Sequence, residues 1–464
     1  MRAPSQPPRP GRRGPLLAAA ALTAPGSALG LAQFLHLAVP ELAPALQALL
    51  FGIAVIGAAF LLGWAAEAAQ LDVSASLAIG ALALVAVLPE YAVGFVFAWK
   101  GGGDVERYGP SCQPPGAHGQ SDCTLVLANM TGANRLLIGV GWALVVLVAW
   151  WRWRNRGERR AGIVLGRGKS VELSYLALAC AYSMTLPLKR SVSLLDAAVL
   201  VAIFVAYVVR ISRAPAETPV LIGPAAWLGW LPRATRRRAV AGLFLLAATV
   251  ILLVAEPFAE SLKHTGAQLG VSEFVLVQWI APLASEAPEL LVAGLFAWRL
   301  KTDEALTTLV SSKVNQWTLL VGPLPVVFAL SSGSLRGLPM DTQPRQEVLL
   351  TAAQTVFALA ILLNLELSVR EALALLGLFW AQFVIGALVP RSAHGVELLV
   401  VSAVYLAAGV AMLVRYRGEL RQRLTDGFRT PYEVLEPEAG AGSLQRTSPP
   451  APAPATGDLV AGKE

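Results

Sequence analysis

Apolar runs of about 20 residues recur down the whole chain, and nothing else in it restricts the fold as tightly. Wound as a helix, such a run crosses roughly 30 Å of hydrocarbon. In a bilayer every backbone N–H and C=O must be satisfied internally, which leaves helices or closed barrels. Runs this long and without polar alternation belong to helices. Spans are predicted near 46–68, 74–99, 124–150, 170–187, 191–211, 239–262, 272–299, 304–331, 347–366, 370–390 and 395–414. Hydrophobic residues make up 55% and charged residues 14% of the 464, against about 25% charged in a soluble domain. The expected fold is an all-α polytopic membrane protein of 11–12 transmembrane helices in a lipid bilayer.

The net charge of +7 does not indicate nucleic-acid binding, because the Arg residues cluster in short loops between spans. Such clusters set orientation across a membrane. The segments WRWRNRGERRAGIVLGRGK, Arg210–Arg238 and RYRGELRQR fall on one side when the spans alternate, and that side is expected to be the cytoplasm. The expected location is a bacterial inner (cytoplasmic) membrane, with the C-terminus cytoplasmic. Trp150, Trp151 and Trp153 with Arg152 and Arg154 read as a membrane-edge anchor. Residues 1–45 fit either a cleaved signal peptide or a first helix. Cys112 and Cys123 share one external loop, as a disulfide or as two thiols. His36, His118, His264 and His394 share no spacing, and no Cys/His set has zinc spacing. From about residue 425 the composition reads as a disordered tail.

One stretch, PLASEAPELLVAGLFAWRLKTDEALTTLVSSKVNQWTLLVG from Pro282 to Gly322, is apolar yet carries Glu286, Glu289, Lys313, Asn315 and Gln316. Ionisable groups at membrane depth cost about 2.5–3.5 kcal/mol each on insertion scales, so they mark partners or function. Pro282 and Pro288 are expected to break the helix beside Glu286. The stretch has an earlier copy. PEYAVGFVFAWK at 89–100 matches PELLVAGLFAWR at 288–299, AQLDVS at 69–74 matches AQLGVS at 267–272, and Asn134 in the first copy answers Asn315 in the second. The copies lie five spans apart, an odd number, so they enter the membrane from opposite sides. Inverted repeats of this kind build ion sites near the midplane and permit alternating access. The expected halves are 46–211, with its motif at 74–150, and 239–390, with its motif at 272–331. A basic loop at 212–238 separates them, and an extra helix at 391–424 precedes the tail at 425–464.

The paired Pro-Glu helices, each followed by an Asn-bearing helix, resemble the two alpha repeats of the cation/calcium antiporter superfamily, in its sodium/calcium exchanger membrane region. In that family each repeat reads Gly-Thr-Ser-Leu-Pro-Glu and then Gly-Asn-x-x-Gly-Ser-Asn, on a core of two inverted five-helix repeats. The resemblance implies that Glu90 and Glu289 are calcium ligands, with Asn129, Asn134 and Asn315 at the amide positions. This chain has Val85, Ala86 and Val87 where the family has Gly-Thr-Ser, and Ala284, Ser285 and Glu286 in the second copy. Lys313-Val314-Asn315 stands for Gly-Ser-Asn.

Ca²⁺ takes six to eight oxygens from carboxylates, amides, carbonyls and waters. Glu90 and Glu289 offer two carboxylates, while Ser285, Thr131, Ser311 and Ser312 add hydroxyls that also suit Na⁺. Glu286 and Lys313 belong to the second copy alone, either as a structural ion pair or as a coupling device in which the ammonium stands in for a metal ion. Arg135 is expected to snorkel, and Asp196, Glu172, Glu366 and Glu397 to be solvated near span ends. Glu67, Glu256 and Glu260 are expected to be interfacial or capped. The function expected is antiport of Ca²⁺ or a related divalent cation for Na⁺, the alternative being H⁺ as counter-ion. No cofactor is expected beyond these transported cations. An integral membrane enzyme would need a metal-binding motif in an edge loop, and the loops are Arg-rich or Gly/Pro-rich instead.

Overall fold

A computed structural model of the chain describes residues 13–38, 41–72, 88–116, 120–214, 221, 223–390 and 393–435. Eleven helices among them are long and apolar enough to cross a membrane. A further helix, Leu88–Tyr108, is described from Leu88 onward. Its predicted start near residue 74, Val85 to Val87 and His118 lie outside the described residues.

The first repeat comprises α2 (Pro44–Ala69), α3 (Leu88–Tyr108), α4 (Asp122–Asn155), α5 (Ser170–Ser183) and α6 (Leu194–Ile211). Its counterpart comprises α7 (Arg233–Leu269), α8 (Glu273–Trp298), α9 (Thr302–Ser332), α10 (Thr342–Ile361) and α11 (Val369–Leu388). The Pro-Glu sequences sit on α3 and α8, five elements apart and so antiparallel. Helix α2 packs along α7, while α3 packs on α4 and on the last turns of α9. Helix α8 in turn packs on α9 and on the first half of α4.

The connections repeat the same symmetry. Strand β1 (Gly162–Val164), between α4 and α5, pairs antiparallel with β4 (Glu366–Ser368), between α10 and α11. Strand β2 (Ser191–Val192), between α5 and α6, pairs with β3 (Leu338–Pro339), between α9 and α10. A two-fold operation that exchanges the repeats exchanges these two sheets. They lie at opposite ends of α5, on opposite faces of the bundle.

The N-terminal segment forms α1 (Gly14–Phe34), running through Pro25. It docks closely on α2 and α7. A Cβ on Gly26 would stand 2.6 Å from the Leu50 carbonyl oxygen, and one on Gly30 would stand 2.7 Å from that of Leu253. Small residues let helix backbones approach where lipid offers no hydrophobic drive. The chain also stays structured past residue 425, further than its composition suggests. Helix α12 (His394–Arg415) is followed by α13 (Arg417–Phe428) and a short helix to Leu435.

Ion pairs mark both ends. At one end Cys112 and Cys123 form a disulfide with their Cα atoms 6.2 Å apart. Nearby, Lys100 bridges Glu256 and Glu260 at 2.8 Å each, and Lys263 pairs with Asp122 at 2.9 Å. At the other end Arg236 grips Asp72 through Nε and NH2 at 2.7 and 2.8 Å. There Arg167 grips Asp426 of α13 at 2.8 Å twice, and Arg210 donates to the Gly427 carbonyl oxygen at 2.9 Å. The basic segments therefore gather at one end, and Trp298 stacks there on Trp151, their ring centroids 5.3 Å apart.

Three acids expected at solvated span ends are buried instead: Asp196, Glu172 and Glu397. Asp196 explains how. It closes a capping box with Ser193, accepts from the Tyr182 hydroxyl at 2.6 Å and is ion-paired with Lys189, so its charge is met by these donors rather than by water.

The Arg167 guanidinium holds the Asp426 carboxyl below the usual carboxylate range. A lowered folded-state value stabilises the protein above the ordinary carboxyl pKa of about 4, and that stabilisation is lost as pH falls further. Asp426→Asn should lower the thermal midpoint in detergent by a few degrees at pH 7, reflecting about 1.5–3 kcal/mol of charged hydrogen bonding. Melting curves of the two proteins should converge as the pH is lowered past the folded-state value.

Candidate functional site

Glu90 lies in the first turn of the described part of α3 and is buried, as is Glu286 on α8, while Glu289 is half-buried. Helix α9 ties these acids together. Ser312 Oγ donates to Glu289 Oε2, and Gln316 Nε2 donates to Glu286 Oε1 at 2.6 Å. From the other repeat, Asn129 Nδ2 donates to the Glu90 backbone oxygen at 3.4 Å, and the Tyr91 hydroxyl donates to the Leu319 carbonyl oxygen at 2.5 Å. Glu90 interacts electrostatically with Glu289, Glu286 and Lys313, and Glu286 with Glu289 and Lys313.

The expected break beside Glu286 is absent. Helix α8 runs unbroken through Pro282 and Pro288, because each proline forfeits only its own N–H bond, to the carbonyls of Gln278 and Ala284. The irregularity lies in the neighbouring helices. Helix α4 turns π-helical over Leu137–Trp142, and α9 does so over Gln316–Leu320. Short π segments often accompany functional sites, and these two lie on corresponding helices of the repeats. Counting three residues back from each start sets Asn134 against Lys313, rather than against Asn315.

Those two residues touch. Lys313 Nζ donates to both the backbone oxygen and Oδ1 of Asn134, each at 2.6 Å, and stands 5.5 Å from the centroid of the Trp317 ring. Glu286 and Lys313, considered as an ion pair from the sequence, are not in contact. Each takes an uncharged amide partner, Gln316 and Asn134 respectively. Arg135 does not snorkel. At 1% exposure it is ion-paired with Glu347 at 2.9 Å and lies over the Trp279 ring at 5.0 Å. The α10 carboxylate is within reach of its guanidinium, so it needs no route to the interface.

Of the other candidates, Ser285 donates to the Pro282 carbonyl oxygen of its own helix at 3.2 Å, and Ser311 is turned toward Tyr207 on α6. Asn134 Oδ1 is taken by Lys313. Four oxygens of the site are buried without a hydrogen-bond partner: Glu90 Oε2, Glu286 Oε2, Asn315 Oδ1 and Gln316 Oε1. Buried polar atoms are rarely left so, and oxygen atoms of this kind suit a hard cation. Among the described residues no three His, Cys, Asp or Glu side chains are close enough to share an ion. A coordination shell here would have to draw on amides, hydroxyls and carbonyls as well.

Gln316, Tyr91, Gln278 and Glu347 are central to this geometry, although sequence reasoning gave them no role. Gln316 stood in the polar stretch already. Gln278 and Glu347 are lone polar residues in separate spans, and only packing brings them together, with Gln278 Nε2 donating to Glu347 Oε2 at 3.1 Å.

Two inverted five-helix repeats around buried acids define a secondary cation transporter. The comparisons narrow this further. The family model described as sodium/calcium exchanger protein matches residues 43–212 and 239–388, and the chain belongs to that family. It is an integral membrane cation/calcium antiporter and not an enzyme, as its sequence resemblance implied. The crystal structure of the H⁺/Ca²⁺ exchanger CAX is 40% identical with a TM-score of 0.78, over 91% of this chain and 98% of that one. The Ca²⁺/H⁺ antiporter protein YfkE shares the fold, at 14% identity and a TM-score of 0.54 over 84% and 99% of the two chains. Among curated proteins none matches.

Close helix contact at the site gives a direct test. A Cβ on Gly132 would stand 1.7 Å from the Gln278 carbonyl oxygen, where only backbone could yield, whereas one on Gly242 meets nothing within 4 Å. Gly132→Ala should separate α4 from α8 and destabilise by about 3 kcal/mol or more. Gly242→Ala should melt like the wild type in a detergent thermal scan.

Proposed function

We propose that the protein exchanges Ca²⁺, or a related divalent cation, for H⁺ by alternating access. Glu90 and Glu289 bind the metal ion from opposite repeats. Ser312, Asn315, Asn129, Glu286 and π-helix carbonyls complete or brace its shell. Lys313 carries the choice of counter-ion. Its ammonium already occupies the position related to Asn134 by the internal symmetry, with both Asn134 oxygens around it. A tethered amine there leaves little call for a second metal ion, and favours H⁺ over Na⁺. The 40% identical neighbour described as an H⁺/Ca²⁺ exchanger supports the same choice.

Sodium is the second reading. The buried and unpartnered Asn315 Oδ1, together with the hydroxyls of Ser285 and Ser312, would suit it. The basic end carrying Arg167, Arg210 and α13 is assigned to the cytoplasm of a bacterial inner membrane. The disulfide end then faces outside, in keeping with positive charge being retained inside and disulfides persisting in oxidising compartments.

Labelled Ca²⁺ uptake into proteoliposomes under imposed gradients tests this. Uptake should follow a pH gradient without Na⁺, and fall to background in Glu90→Gln and Glu289→Gln. Lys313→Ala should lose pH-driven uptake while remaining folded. Uptake driven only by a Na⁺ gradient would select the second reading, and full activity in both glutamine variants would end the ligand assignment.

A further inference from the structure

At the disulfide-bearing end a cavity of about 930 Å³ lies between α8, α10, α11 and α12. Small-molecule sites typically enclose roughly 300–1,000 Å³. Phe274, Trp279 and Phe383 form aromatic walls, and Gln278, Glu347 and Gln382 lie deeper. These deep groups are already engaged. Arg135 pairs with Glu347 at 2.9 Å and donates to Gln382 Oε1 at 3.4 Å, and Gln278 donates to Glu347.

Glu397 on α12 is different. It lines the cavity, is 8% exposed, and its Oε1 has no hydrogen-bond partner. Its two carboxylate oxygens lie 3.8 and 3.9 Å from where a Cβ on Gly386 would stand, so the facing helix α11 leaves room in front of the charge. The charged and titratable groups around it are few. Glu347 is neutralised by Arg135. His394 Nε2 is 2.9 Å from the Val389 carbonyl oxygen, and Glu273 accepts from the Gln120 backbone N–H at 3.3 Å. Among the described residues that line the cavity there is no Lys or Arg.

We infer that this cavity binds a small organic cation, an ammonium or guanidinium carried on an apolar or aromatic body, with Glu397 as its anchor. A buried carboxylate with one oxygen unmet calls for an N–H donor, and a charged donor makes the stronger bond. The ring walls suit the body of such a ligand, and aromatic faces attract cations. A bare metal ion fits poorly, since Glu347 is held by Arg135 and Glu273 accepts from the Gln120 backbone N–H, which leaves Glu397 as the one carboxylate with an unmet buried oxygen among the described lining residues. The site is separate from the central acids and does not depend on which counter-ion they exchange.

Benzylammonium and its neutral analogue benzyl alcohol are suitable probes, titrated calorimetrically into the full chain in nanodiscs. Benzylammonium should bind saturably and benzyl alcohol about tenfold more weakly or worse, the scale of one charged hydrogen bond. Glu397→Gln should lose the same factor while Ca²⁺ uptake stays at the wild-type rate. Gly386→Leu, which fills the space from the opposite helix, should abolish binding without touching the carboxylate. No saturable binding to the wild type, or equal binding of the two probes, would overturn the inference. So would wild-type affinity in either variant.

Discussion

An ammonium group in hydrocarbon must be surrounded by oxygen or abandoned to solvent, and Lys313 has no path to solvent. It is fully buried, with both oxygens of Asn134 as acceptors and the Trp317 ring alongside. That contact joins symmetry-related positions of the two repeats, so neither helix can turn without stranding a charge. Removing one partner of a buried charged contact costs several kcal/mol, more than the contact contributes as a net gain. The placement of α4 against α9, and through α9 of Ser312 and Gln316 against the acids, depends on it.

Arg135 shows a second solution to the same problem. It adjoins Asn134, yet it turns to Glu347 on α10 rather than to the central acids. Two basic side chains, Lys313 on α9 and Arg135 on α4, thus take different partners across the repeats. Lys313 donates to the oxygens of Asn134 beside the candidate ion site, and Arg135 pairs with a carboxylate of α10. The internal symmetry is broken at this point, in side chains rather than in backbone.

Much of this was legible in the chain. Apolar runs located the spans, and the duplicated Pro-Glu and Phe-Ala-Trp-basic sequences gave the inverted repeat, because helix length and parity are fixed by one-dimensional spacing. The partners of Glu286 and Lys313 were not legible. Both residues look like an ion pair on adjacent helices, but rotation about each helix axis presents one to Gln316 and the other to Asn134. The π segments add a second correspondence to the sequence pairing of Asn134 with Asn315, since counting from their starts sets Asn134 against Lys313. Proline also misled at α8, since in a membrane helix the loss of one N–H bond leaves the remaining bonds intact.

The two small sheets bear on how such a chain could arise. Among the described residues no strand pairs within its own repeat: β1 finds β4 and β2 finds β3, each across the symmetry axis and on opposite faces. A single five-helix unit would leave both of its strands unpaired until it met a second unit inserted upside down. The present protein is, in that sense, an antiparallel dimer with a covalent linker. The connecting segment and Arg-rich loop between α6 and α7 hold the two halves in the opposed orientations that separate chains would have to reach by inserting both ways.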